Sequence, residues 1–189
     1  MKQLYYTLAG IIILLIGWSI LLIHIPPTEI IAYLGVENAL LVAFLVSALG
    51  GVSTATSVNY YTTVIALAAG GTHVLALGIV AGIGVTIGDS LFYYLGTRGH
   101  EILTEKGSQW AKKIERWMNK QHPLFVQIGA YVYAGLTPLP NDVLTVSLGL
   151  AEYSYKKLLP ALLLGNITLT VIVAELANYS QIIQRIFGV

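Results

Sequence analysis

Asp89, Asp142 and Glu175 are acids set inside long apolar stretches, and Arg98 ends the same stretch as Asp89. An acid at the centre of a membrane helix costs about 2.5–3.5 kcal/mol, so it is retained where it meets a partner or a water path. Such a carboxylate can take up and release a proton, or hold a cation or a cationic head group. Arg98 offers a planar fork that suits phosphate oxygens. Each residue also has a plainer reading. Asp89 can be solvated near a helix end or paired with Arg98, Arg98 can be a snorkelling anchor, and Glu175 can be a solvated helix end. Asp142 follows "TPLPN": Pro138 and Pro140 break a helix and hold Thr137 and Leu139 extended. Asn141 is then the expected cap of the returning helix, with Asp142 in its first turn. Read this way the segment is a capped turn. Read for function, it is a polar hairpin tip lining a substrate path.

Enzyme patterns are missing. There is no H-E-x-x-H, no G-x-S-x-G and no phosphate-cradling G-K-[ST] loop. The absence of cysteine removes disulfides and thiolate metal sites. His100 and His122 have no evident catalytic partners, while His24 and His73 read as loop or interface residues. The expectation is a non-enzyme with no cofactor and no metal.

The elements that must position these residues follow from composition. The chain has 189 residues, 56% hydrophobic and 10% charged, with a mean hydropathy of +0.76. Soluble domains carry about 25% charged residues, so this chain cannot cover a water-exposed globule of its size. Residues 4–23 form a twenty-residue run without a charge. That run is long enough to cross a hydrocarbon core of about 30 Å and too long for a signal-peptide core. It is expected to be a retained spanning helix, with Trp18 facing lipid or a neighbour. Residues 74–96 and 158–178 are the second and third predicted spans, carrying only Asp89 and Glu175 respectively. Gly78, Gly82, Gly84 and Gly88 suit close helix approach, and Asn166 and Thr168 suit helix packing.

Two further apolar stretches are interrupted, 39–71 by "GGVSTATSVN" and 124–151 by "TPLPND". Charge sidedness tells what they are. Residues 98–120 hold six basic against three acidic side chains, Lys156-Lys157 form a second basic spot, and the 24–38 loop holds Glu29 and Glu37 with no base. Positive loops stay in the cytoplasm, which places 98–120, Lys156-Lys157 and the N-terminal Lys2 inside. The 124–151 stretch thus begins and ends on one side, and two full crossings would need about 40 residues. It should dip in and return as a re-entrant hairpin, and 39–71 should do so from the outside. Irregular backbone at that depth requires cover by protein or a water-filled cavity. An offset of 81 residues aligns Thr56 with Thr137, Leu67 with Leu148, Leu77 with Leu158 and Gly84 with Gly165. Opposed hairpins, each followed by a span, are the pattern of an inverted repeat. Residues 100–122 place Trp110, Ile114, Trp117 and Met118 on one face of a basic helix. That helix is expected to lie in the cytoplasmic interface, with a soluble partner-binding helix as the second reading. Its mixed charge argues against nucleic acid.

"GIGVTIGDSLFYYLGTRG", residues 82–99, resembles the G-x-x-x-G-D-x-x-x-Y-x-x-G-x-x-G pattern of DedA-type proteins, which share the VTT (SNARE-associated Golgi protein) domain. Gly84, Gly88, Asp89, Tyr93, Gly96 and Gly99 stand at the matching places, and Tyr94 with Arg98 matches the aromatic-x-x-x-Arg element. "TPLPNDVLTVSLGL" followed by a Gly-Asn helix resembles the second hairpin of that family, in its small archaeal and bacterial form. The likeness covers roughly residues 40–178. Two departures stand out. Ser53 to Ser57 lacks the Pro-x-Glu that many bacterial members carry, and Tyr133 to Pro138 lacks their arginine.

The expected molecule is an all-α integral membrane protein, an inverted repeat of two opposed re-entrant hairpins with three spanning helices and one interfacial amphipathic helix. Residues 1–38 form an N-terminal helix and external loop, and 39–189 a VTT/DedA-like domain. The resemblance implies a flippase or scramblase that moves phospholipid or polyprenyl-phosphate head groups past the hairpin tips. The path would be lined by Asp142, Asn141, Pro138, Pro140, Thr137, Asp89, Arg98, Tyr94, Glu175, Thr54 and Thr56. A proton- or ion-coupled solute transporter and a non-transporting membrane scaffold are the alternatives. The expected partners are membrane lipids, with a second copy of the chain as an open alternative and no nucleic acid. The expected location is the plasma membrane, N-terminus inside.

Overall fold

The computed structural model describes residues 38–50, 54–99 and 105–187, with a few helical positions between 6 and 20. The rest of the first predicted span, including Trp18, and the loop after it lie outside the described residues. Seven helices follow in order: α1 (Ala39–Gly50), α2 (Thr54–Ala69), α3 (Val74–Gly99), α4 (Glu105–Lys120), α5 (Pro123–Leu136), α6 (Asn141–Leu150) and α7 (Tyr155–Phe187). No strand occurs among the described residues. Both interrupted stretches are therefore helix pairs. The spans are longer than expected: α3 and, within α7, Tyr155–Tyr179 are long and apolar enough to cross a membrane.

α3 and α7 pack against each other at the centre. α1 and α6 pack on α3, whereas α2 and α5 pack on α7. Each pair thus lays its first helix on the span that follows it and its second helix on the other span. Glycine permits the closest of these approaches. A Cβ on Gly84 would stand 2.8 Å from Phe44 O and Ser47 Cβ and 2.9 Å from Ala48 N, in α1. A Cβ on Gly165 would meet the corresponding three atoms of α5: Tyr131 O at 3.1 Å, Ala134 Cβ at 2.9 Å and Gly135 N at 3.1 Å. The far face of α3 carries Leu75, Ile79, Ile83 and Ile87, all exposed and four residues apart. An apolar stripe of this kind suits lipid, not water.

The buried residues repeat at the offset read from sequence. Leu67 and Leu148 are buried, Leu77 and Leu158 completely so, and each pair divides between two separate apolar clusters. The ends of α2 and α6 repeat as well. Gly71 N donates to Ala68 O (3.0 Å) and Thr72 N to Leu67 O (3.1 Å). Glu152 N donates to Gly149 O (3.0 Å) and Tyr153 N to Leu148 O (3.0 Å). Both are Schellman endings, with the cap residue left-handed: Gly71 at φ 90° and Glu152 at φ 53°.

The second helix pair is broken where its prolines dictate. His122 Nδ1 accepts from Leu124 N (3.3 Å) and Pro123 stands in the first turn, so α5 starts there. Thr137, before Pro138, is extended at φ −120°, ψ 138°, which ends α5. On α4 the apolar stripe divides: Met118 is buried and Ile114 packs with it on the second cluster, while Trp110 and Trp117 stay about half exposed. Trp117 meets the Phe125 ring edge-on at 6.5 Å. Residues 100–104 of the predicted interfacial segment lie outside the described residues.

Candidate functional site

The polar centre of the molecule joins α3, α6 and α7. Asp89, on α3, is 1% exposed. Its Oδ2 accepts from Asn166 Nδ2 of α7 (2.8 Å) and from Asn141 Nδ2 of α6 (3.1 Å). Asn141 Nδ2 also donates to Asn166 Oδ1 (2.8 Å). Asn166 Nδ2 also donates to Thr86 Oγ1 (3.1 Å), whose own proton goes to Gly82 O (2.7 Å). Two buried acceptors in this network, Asp89 Oδ1 and Asn141 Oδ1, have no hydrogen-bond partner among the described residues. The network is rich in acceptors and has spent its donors.

Asn141 does not cap α6 as the sequence led us to expect. It is the first helical residue, Pro140 holds the cap position at φ −63°, ψ 121°, and no side chain caps the helix. The physical reason is position: Asn141 already has helical geometry one residue past the cap, and its side chain is oriented by the bonds its amide N–H donates to Asp89 and Asn166. Asp142 is half-buried, and its Oδ1 accepts from Val143 N (2.8 Å). The tip is braced by Tyr133, whose hydroxyl donates to Pro140 O (3.1 Å), and by Thr137, whose hydroxyl donates to Tyr133 O (2.6 Å).

In front of the network lies a cavity of about 180 Å³. Its lining includes Ser57, Tyr61, Pro138, Asn141, Asp142 and Asn166. A second, shallower and almost wholly apolar groove of about 440 Å³ adjoins it and shares Tyr61 and Pro138. Ile65, Val173, Leu176 and Ala177 complete the groove. Polar pocket and apolar groove thus meet at one tyrosine and one proline.

The residues expected to line the path divide. Asp89, Asn141, Asp142, Pro138, Pro140 and Thr137 come together at or beside the pocket. Arg98 does not join them: its Nε donates to the Tyr94 hydroxyl (3.1 Å), with the guanidinium 5.2 Å from the Tyr94 ring centre, at the exposed end of α3. Glu175 is exposed on α7. Neither cavity includes Tyr94, Arg98 or Glu175 in its lining. The Thr54 and Thr56 backbones belong to α2, and their side chains lie outside the described residues. Sequence reasoning missed Ser57, Tyr60 and Tyr61, and gave Asn166 only a packing role. The sequence signal for Asn166 was its place in an apolar span that also holds Gly165 and Thr170.

Tyr60 makes a second polar contact between the halves: its hydroxyl and Thr170 Oγ1 are 2.5 Å apart, both residues buried. At the offset of 81, Tyr60 corresponds to Asn141 and Thr170 to Asp89.

Compared with known proteins, residues 58–178 match the family model described as the VTT domain. The matched stretch contains both cavities' lining except Ser57. Searches of curated proteins and of solved structures find no match.

Proposed function

The chain belongs to the DedA family of VTT-domain membrane proteins, and from that premise we propose that it is a lipid translocase. A lipid head group would cross through the pocket between the helix-pair tips while its tails stayed in the apolar groove. One observation supports this reading: the pocket lined by Asn141, Asp142 and Asn166 shares Tyr61 and Pro138 with an apolar groove. A solute site would be closed to the bilayer, whereas an amphiphile needs such a junction. The buried Asp89 favours a second reading, a small ion-coupled solute transporter, because an intramembrane carboxylate is a common ion relay.

We further propose that α1–α2 and α5–α6 are re-entrant hairpins of an inverted repeat. The exchanged packing on α3 and α7, the matched glycine approaches and the matched Schellman endings support it. The basic 98–120 segment and Lys156-Lys157 favour the cytoplasmic side of the plasma membrane for both, with the N-terminus inside.

The test uses full-length protein in liposomes with acyl-labelled lipid, reading the fraction of label that becomes accessible from outside. Protein-dependent exchange between leaflets is the expected result. Intact folded protein that moves no lipid, but moves a small solute, would give the field to the second reading.

A further inference from the structure

We propose that the pocket between the tips selects head groups that carry a primary ammonium and discriminates against phosphate monoesters. This rests on the translocase reading above and names the substrate class of the same site.

The first support is charge. All ten basic residues stand at position 2, within 98–120, at 156–157 and at 185. Neither hairpin, nor the buried stretches of α3 and α7, therefore contains a base, and the carboxylates nearest the pocket are Asp142 and Asp89. A bare phosphate entering the pocket would meet Asp142, with Asp89 behind it, and no cation to offset either charge. An ammonium would meet the opposite sign.

The second support is the hydrogen-bond census. Asp89 Oδ1 and Asn141 Oδ1 are buried acceptors with no partner among the described residues. Asn141 lines the pocket, and Asp142 beside it uses one carboxylate oxygen on Val143 N. Asn141 Nδ2 already donates to Asp89 and Asn166, and Asn166 Nδ2 to Asp89 and Thr86. What the Asp89–Asn141–Asn166 network lacks is a further donor. A buried acceptor without one costs free energy, and a primary ammonium brings three donors where a quaternary ammonium brings none. In a head group whose ammonium is tethered beyond its phosphate, the ammonium enters first and the phosphate follows between it and the acyl-bearing glycerol. The third support is the adjoining groove, whose lining from Tyr61, Ile65, Val173 and Leu176 is chemically suited to an acyl chain.

The experiment compares three acyl-labelled lipids in liposomes containing the full-length protein: phosphatidylethanolamine, phosphatidylcholine and phosphatidate. Phosphatidylethanolamine should cross about ten times faster than phosphatidate, the factor that one charge-assisted hydrogen bond provides. Phosphatidylcholine, with no ammonium donor, should be slower than phosphatidylethanolamine. Asp142→Asn should narrow the ratio. Independently of any variant, octylammonium should raise the melting temperature of the detergent-solubilised protein more than octyl phosphate does. Equal rates for all three lipids would overturn the head-group assignment and leave the translocase reading standing. Stabilisation by octylammonium without movement of any lipid would uphold the site and sink the translocase. Preferential stabilisation by octyl phosphate would overturn the site assignment outright.

Discussion

The two halves of the core use the same contacts with different chemistry. Tyr60 on α2 reaches Thr170 on α7 through two hydroxyls. At the matching positions, Asn141 on α6 reaches Asp89 on α3 through an amide and a carboxylate. Asn166, which completes the second contact, corresponds to Val85 in the first half, a buried aliphatic. The backbones also differ at one place. α2 runs as unbroken helix from Thr54, whereas Pro138 and Pro140 remove the corresponding turns from α6. The lost turns leave the space into which the pocket opens. The scaffold is thus shared between the halves, while charge and helix break stand on one side of a cavity that both halves line.

The sharpest way to break this comparison is to give one half the chemistry of the other. Asp89→Thr installs the residue that stands at the matching position, Thr170. Folded yield should be largely kept, because the matched position accepts threonine in the same packing, and lipid translocation should fall at least about tenfold, equivalent to about 1.4 kcal/mol of barrier. Undiminished translocation by well-folded Asp89→Thr protein would show that the charged half has no special role.

A smaller effect should separate the halves in stability. Asn166→Val, which copies Val85, removes one of the two amide donors to the buried Asp89 carboxylate and should cost about 2–3 kcal/mol. Thr170→Val removes the hydroxyl contact with Tyr60 and the Thr170 Oγ1 bond to Asn166 O, neither of them to a charged group, and should cost about 1 kcal/mol. Unfolding in mixed micelles measures both, and equal losses would erase the distinction. The smallest effect concerns the helix endings. Glu152 holds the left-handed position that glycine fills at Gly71. Glu152→Gly should therefore stabilise by about 0.5 kcal/mol and Gly71→Ala should destabilise by about 1 kcal/mol, since a Cβ is disfavoured there. Opposite signs in a thermal-shift assay are the expected outcome.

Much of the scaffold was legible in the sequence because it depends on local properties. Apolar run length located α3 and the spanning part of α7, Pro138 ended α5 one residue before itself, and the 81-residue offset paired Leu77 with Leu158 before any contact was known. The centre was less legible because it is built from residues far apart in the chain. Asn141 has the profile of a helix cap, but it stands one residue past that position and its amide meets Asp89, which arrives from α3. Tyr60 offered no signal on its own, since tyrosine in an apolar helix packs as readily as it bonds. Arg98 and Glu175 were drawn in by residue type, and the fold leaves them at exposed positions.

The exchange of helix partners has a consequence for how the protein is made. α1 and α3 can associate as soon as both have left the ribosome, but α2 takes much of its packing from α7, which emerges well after it. Until then α2, which carries Asn59, Tyr60, Thr62 and Thr63 in a helix only 16 residues long, can rest on α1 and α3 but lacks the Thr170 hydroxyl that Tyr60 meets. The packing of the first helix pair is therefore completed only after the second pair and α7 have been made, and over that interval the chain exposes surface that α7 will cover. Truncation within α7 should accordingly expose α2, far upstream in sequence, to the cell's quality-control proteases.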